Sequence, residues 1–334
     1  MAKGSGSRKP KAKKAEPECL PKNAVGTAPG ASAASGKSAF RKWLRPRRLV
    51  LLALFASAWV CMPVISRHLP SLNNRPEYRV GPDQVTINPA PRCVPPDLVR
   101  QVFARAEFGE SQSLLDETLS ERVAAAFYTH PWIENVSYVR KTFPARLQVE
   151  VIYREPVAMV KGFGGYYPID KHGVLLPPED FTVADIERYP VIERVSSVPS
   201  GGLGQPWGDP VVHGAAELAS VLLQPGPDAQ PRWTQFGLEA ILVPRRVALN
   251  DESDQLEYQL RTTGGSEILW GRSPSTIHPG ELAVDQKIQR LADYSHDYGG
   301  FDAEHGPWEI DIRPWNGIGR ARLATESGET RNFN

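Results

Sequence analysis

The stretch HPWIENVSYVRKTFPARLQVEVIYREPVAMV, His130 to Val160, decides how the rest of the chain is read. Within it Leu147, Val149, Val151 and Tyr153 alternate with Gln148, Glu150, Ile152 and Arg154. A period of two sends successive side chains to opposite faces, so this segment predicts a strand with one buried face. Phe143-Pro144 marks a turn, and Asn135 to Lys141 before it supplies the preceding strand of the pair.

Toward the N-terminus the period changes. Leu115, Leu119, Val123, Ala126 and Phe127 recur at steps of three and four, which predicts an amphipathic helix with Ser113 as its N-cap and an end near His130-Pro131. Leu98, Val99, Val102 and Phe103 predict a shorter helix whose opening turn suits Pro95 and Pro96. Tyr78 to Ile87 alternates as a first strand, restricted by Pro82. The resulting order is β-α-α-β-β.

Further upstream, Leu49 to Ile65 (LVLLALFASAWVCMPVI) is an uncharged run of 17 residues between Arg47-Arg48 and Arg67. At about 1.5 Å per residue it extends roughly 26 Å, near the ~30 Å hydrocarbon core of a bilayer. The run predicts a single membrane helix over 49–66 that seats the chain in the lipid bilayer. A cleaved signal peptide fits less well, because a long leader precedes the run, and a buried core helix would carry polar residues every few positions. Residues 1–48 hold 13 Lys/Arg against 2 acids, net +11, and residues 49–334 hold 26 against 36, net −10. The positive flank stays in the cytoplasm and the C-terminal body is exported. The leader has too few apolar residues to fold, so 1–48 reads as a disordered basic cytoplasmic tail. The acidic body excludes nucleic-acid binding by the folded part.

No constellation for catalysis is visible. The chain has no G-x-S-x-G elbow, Walker sequence or H-E-x-x-H pair. Gly162-Phe163-Gly164-Gly165 joins two strands rather than opening a helix, and reads as a hairpin turn instead of a nucleotide loop. His296, Asp297, Asp302, Glu304 and His305 gather in a Gly-rich segment that reads as a solvated loop, not a metal site. Cys19, Cys61 and Cys93 lie in different regions without ligand spacing or a disulfide framework. The expectation is a non-enzymatic protein with no metal, cofactor or small-molecule substrate.

Taken together, His130-Pro131-Trp132-Ile133 after the second helix, Pro144 between strands, and Arg154-Glu155-Pro156-Val157-Ala158 after the last one resemble the POTRA domain of the FtsQ/DivIB family of bacterial cell-division proteins. The resemblance extends over roughly 44–323. Tyr166 to Leu176 is similar to the strand pair that opens the family's second domain, and Tyr189 to Ile192 to a Pro-bearing strand within it. A helix at Val212 to Leu223, strands at Leu238 to Val243, Leu256 to Thr262 and Glu267 to Leu269, a long helix from about Pro279 to Tyr298, and a strand at Glu309 to Arg313 then follow. Thr182 to Gln205, Asn250 to Asp254 and Pro314-Trp315 depart from the pattern.

The resemblance implies an α+β chain: tail 1–48, membrane helix 49–66, POTRA-like domain 71–158, a mixed, β-rich FtsQ-like domain 159–324, and a flexible tail 325–334. It implies a septal scaffold of the inner membrane that binds bitopic division proteins of the FtsB and FtsL kind at Arg313 to Leu323. The physical mode is addition of a partner strand to an open sheet edge. Candidate contact residues are Arg272, a clamp for a partner carboxylate or else a surface ion pair, Arg313, and Trp315 with Asn316, Gly317 and Ile318 on the turn beyond the strand. Two other functions compete. One is a POTRA-type polypeptide-binding component of envelope assembly, although the chain ends before the many strands of a barrel; the other is a membrane-anchored cell-wall enzyme.

Overall fold

The computed structural model describes residues 46–68, 72–244, 255–303 and 305–323. The chain divides into two compact units, Met1–Pro70 and Ser71–Asn334. In the first, helix α1 runs Pro46–His68 with Pro63 inside it. Its described apolar side chains are exposed, Phe55 at 75% and Trp59 at 77% among them. Among the described residues no helix is long and apolar enough to cross a membrane. Of the expected span, the side chains of Leu49, Val64 and Ile65 lie outside the described residues, which leaves the continuous stretch 50–63. The tails 1–45 and 324–334 also lie outside them.

The second unit is mixed α and β. Strands β1 (Arg79–Val80) and β2 (Val85–Ile87) replace the single first strand expected from Tyr78 to Ile87. Pro82 lacks an N–H for a ladder and opens a one-turn helix, Pro82–Gln84, that separates them. Helix α2 (Leu98–Arg105) buries Leu98, Val102 and Phe103. Strand β3 (Gln112–Ser113) pairs with β1, so Ser113 is not a helix cap. Helix α3 begins only at Leu119 and runs to Tyr128. Leu115, expected on its stripe, lies outside the helix and is 45% exposed. The turn before α3 is held by Asp116, whose carboxylate accepts from the Thr118 N–H at 2.9 Å and so competes with an earlier helical start.

Strands β4 (Ile133–Thr142) and β5 (Arg146–Tyr153) form the predicted pair. They join β2 in a sheet ordered β2–β5–β4, with β2 parallel and β4 antiparallel to β5. Leu147, Val149, Val151 and Tyr153 face inward in strict alternation. They close a core on Leu119, Val123, Phe127 and Trp132, all fully buried.

A second core lies under a larger sheet. Its strands are β6 (Pro156–Gly162), β7 (Gly165–Asp170), β8 (Val191–Glu193), β9 (Leu238–Leu242), β10 (Tyr258–Thr262), β11 (Glu267–Gly271), β12 (Trp308–Asp311) and β13 (Gly319–Arg322). Their spatial order is β13–β12–β11–β10–β9–β8–β6–β7. Between them come the short α4 (Val183–Ile186), α5 (Pro210–Leu223), the short α6 (Arg232–Gln235) and α7 (Val284–Tyr298). Asp209 caps α5 by accepting from the Val211 N–H at 2.9 Å, with Pro210 at the first helical position. The long helix starts at Val284 rather than near Pro279, because the residues before it are tied to the end of β11. The loop expected at Asn250 to Asp254 lies outside the described residues.

Register places Val160, Ile192, Ile241, Leu260, Ile268 and Ile310 in one row across six strands, each with no exposed surface. Burial of such side chains contributes roughly 1.5–3 kcal/mol apiece. Leu218 and Leu222 of α5 and Leu291 and Tyr294 of α7 complete this core. Neighbouring positions carry paired charge instead, with Arg261 bridging Glu193 and Glu239, and Arg194 bonded to Glu267. The cores meet through the chain after β7: Leu176 enters the first core, Phe181 stacks on Trp132, and the Trp132 indole N–H donates to Asp180 at 2.7 Å. A largely buried ion pair, Arg154 with Asp170 at 2.7 Å, joins the chain leaving β5 to the end of β7.

Candidate functional site

The residues singled out from sequence converge where β11 and β12 end and α7 begins. Gly271 closes β11 at φ +92°, and a Cβ there would sit 2.4 Å from Glu281 Oε1 and 3.3 Å from Arg313 Cγ. Glycine is therefore required both by conformation and by space. That close approach brings Arg272 and Arg313, 41 positions apart in sequence, to the same strand end.

Arg272 serves an internal ion pair. Its Nη1 lies 3.0 Å from Glu281 Oε2, and its N–H donates to Oε1 at 3.1 Å. Glu281 also receives the Lys287 ammonium, which is 2% exposed and lies 4.8 Å from the centre of the Trp270 ring. Burial works to raise the Glu281 carboxyl, but hydrogen bonds and charge from Lys287 and then Arg272 outweigh it and hold its pKa below the ordinary value. Burial also pulls the Lys287 ammonium below its usual range, with Glu281 opposing.

Arg313 is held by the carboxylate two residues before it. Its Nε and Nη2 donate to the two Asp311 oxygens at 2.8 and 2.9 Å, and its Nη1 reaches Glu257 at 2.5 Å. The Arg313 hydrogen bonds depress the Asp311 carboxyl, while burial opposes. Both arginines thus have intramolecular carboxylates and act first as braces of the strand ends.

Beyond β12 the chain turns through Pro314-Trp315-Asn316-Gly317. Trp315 is 63% exposed, with its indole N–H donating to the Gly280 carbonyl at 3.3 Å. Asn316 and Gly317 are exposed, and Gly317 adopts φ +148°. Ile318 points the other way, half-buried against the sheet core. It is part of the packing rather than of the presented surface.

Sequence reasoning missed the residue that shapes this turn. The Arg290 guanidinium on α7 donates to the carbonyls of Ile312, Pro314 and Trp315 at 2.8, 2.6 and 3.1 Å, with a longer approach to Gly317 at 3.4 Å. No local pattern marks Arg290, because its partners lie 22 to 27 positions away. The acidic loop expected before β12 is occupied by fold-holding bonds: Asp302 accepts from the Thr262 hydroxyl at 2.6 Å and the Gly264 N–H at 3.2 Å. Glu304 lies outside the described residues.

The turn delivers the chain into β13, which among the described residues pairs only with β12 and ends the eight-stranded sheet. All four of its residues are exposed. The Leu323 N–H donates inward to the Pro307 carbonyl at 3.1 Å. Because donors and acceptors alternate along an antiparallel strand, Gly319 and Ala321 also face β12, whereas Arg320 and Arg322 turn their N–H and C=O groups to the open side. An open edge, an exposed tryptophan beside it and braced arginines behind it form a surface suited to binding an extended chain.

No family model matches the chain. A cell division protein FtsQ of Anaeromyxobacter sp. (strain K) is 29% identical to it over 172 residues, covering 52% of this chain and 49% of that protein. The chain therefore spans about half the length of the curated relative it matches.

Proposed function

We propose, from the relationship of this chain to the FtsQ cell-division proteins, that it is a non-enzymatic scaffold of the bacterial division machinery. In this reading 49–66 anchors it in the inner membrane, with the basic tail cytoplasmic and the remainder extracytoplasmic. Residues 71–158 form a POTRA-like domain; the succession β2-α2-α3-β4-β5, with the two-residue β1 and β3 paired as a separate ribbon, supports this. Residues 159–324 form the partner-binding domain. Its partners are bitopic division proteins of the FtsB and FtsL kind, taken up by strand addition.

The observation that carries this reading is the β13 edge. It offers unpaired backbone groups at the end of a sheet whose other members are rigidly packed, and Trp315 stands beside it. The aligned ion pairs of Arg272 and Arg313 keep the neighbouring strand ends in place rather than supplying a reactive group.

Purification of the full chain from its host membranes tests the reading. Bitopic division proteins are expected to co-purify with the wild type and to be lost from Arg320→Pro, which removes an outward N–H, and from Trp315→Ala. Unchanged capture by both folded variants refutes the β13 site.

A further inference from the structure

The geometry points to an acidic extended segment, with carboxylates two residues apart on one face, as the occupant of the β13 edge. This deepens the strand-addition reading and rests on it. Gly319-Arg320-Ala321-Arg322 carries no large apolar side chain, so β13 adds little to the core through burial. It is held by its ladder to β12 and by its two arginines.

Arg320 and Arg322 are paired with Ile310 and Trp308 and share one face of the sheet. The Arg320 guanidinium lies 3.7 Å from the centre of the Trp308 ring and 5.0 Å from that of Tyr298. Its remaining bond is a long one, 3.5 Å to the Ala303 carbonyl. Arg322 donates to the His305 carbonyl at 3.3 Å. Among the described residues neither has a carboxylate partner, unlike Arg261 in β10 and Arg272 and Arg313 just past β11 and β12.

These two residues are also the ones whose backbone groups face the open side. A strand added there sets its hydrogen-bonded positions directly opposite Arg320 and Arg322, about 5.5 Å away between Cα atoms in an antiparallel pairing. Opposite charges at such positions stabilise a sheet and like charges oppose it. The alternate positions of the guest strand fall beside Gly319 and Ala321, where small side chains leave room for bulky apolar ones. Charge thus selects alternate residues of the partner, and backbone pairing holds it.

Three labelled nonapeptides test this against the purified full chain in mild detergent: alternating Val-Glu, alternating Val-Lys, and Val-Glu with every second amide N-methylated. The Val-Glu peptide is expected to bind about tenfold more tightly than Val-Lys at low salt, from two exposed pairs. The preference should invert in the double variant R320E/R322E and persist in R320K/R322K, which keeps the charge but loses the planar ring contact. N-methylation should abolish binding. Equal affinity for Val-Glu and Val-Lys with sensitivity to N-methylation overturns the acidic assignment and leaves strand addition standing. Binding that ignores N-methylation, or no binding of either peptide, overturns both. If R320E/R322E does not fold, the wild-type comparison decides alone.

Discussion

Replacing Glu281 by glutamine should be the most damaging single isosteric change near the presented edge. In the native protein one carboxylate, 8% exposed, neutralises Lys287 at 2% and Arg272 at 20% exposure. Glutamine keeps the shape and still accepts hydrogen bonds, but it leaves a buried ammonium without a counter-charge. Breaking one side of a buried ion pair costs about 3–5 kcal/mol. For a unit of this size that corresponds to a fall in Tm of roughly 6–20 °C. The loss is asymmetric: Lys287→Met leaves Glu281 paired with Arg272 and places an apolar side chain against Trp270, so it should cost under about 1.5 kcal/mol. Acid behaviour separates the variants further. Because the folded state holds the Glu281 carboxyl below its ordinary pKa, this stabilisation is present above the ordinary carboxylate range and disappears as pH falls through the folded value. Thermal melts of wild type, Glu281→Gln and Lys287→Met at neutral pH and near pH 4 read all of this. A Glu281→Gln variant within about 1 kcal/mol of wild type, or a Lys287→Met variant that is the worse of the two, refutes the account of a carboxylate at the centre of the cluster.

His130 should impose a second pH dependence. Its Nδ1 accepts from the Trp132 N–H and its Nε2 approaches Gln101 Oε1, both at 3.3 Å, which fits the neutral ring with the proton on Nε2. Burial first, and the charge of Arg105 second, lower its pKa to about 4. The unfolded chain therefore binds this proton at higher pH, and stability is full above about 6.5 and declines toward pH 4 by at most about 3 kcal/mol. Denaturant titrations across that window should show the decline in wild type and a flatter profile in His130→Gln. Trp132→Phe keeps most of the ring but removes the bond to Asp180, leaving a carboxylate oxygen without its donor; a loss of about 1–3 kcal/mol is expected in chemical unfolding. Trp315→Ala, by contrast, should change stability by under about 1 kcal/mol because the side chain is mostly in solvent, while reducing partner capture.

The sequence by itself determined the elements whose burial is written in a short period. The alternation of Leu147, Val149, Val151 and Tyr153 and the stripe of Leu119, Val123 and Phe127 each appear as buried faces, because neighbouring residues in a strand or helix inherit their direction from local geometry. The resemblance to FtsQ proteins was legible from the Trp132 region and the Arg154-Glu155-Pro156 exit, and the chain is similar over about half its length to one such protein. Tertiary structure alone decided that Ser113 pairs in a ribbon, that Ile318 turns inward, and that Arg290 gathers carbonyls on the β12–β13 turn. It also decided that β12 lies parallel to β11 after a crossover through α7, which is what brings Arg313 beside Gly271. These outcomes depend on contacts between residues far apart in the chain, fixed by which apolar faces can be buried together, and no local period encodes them.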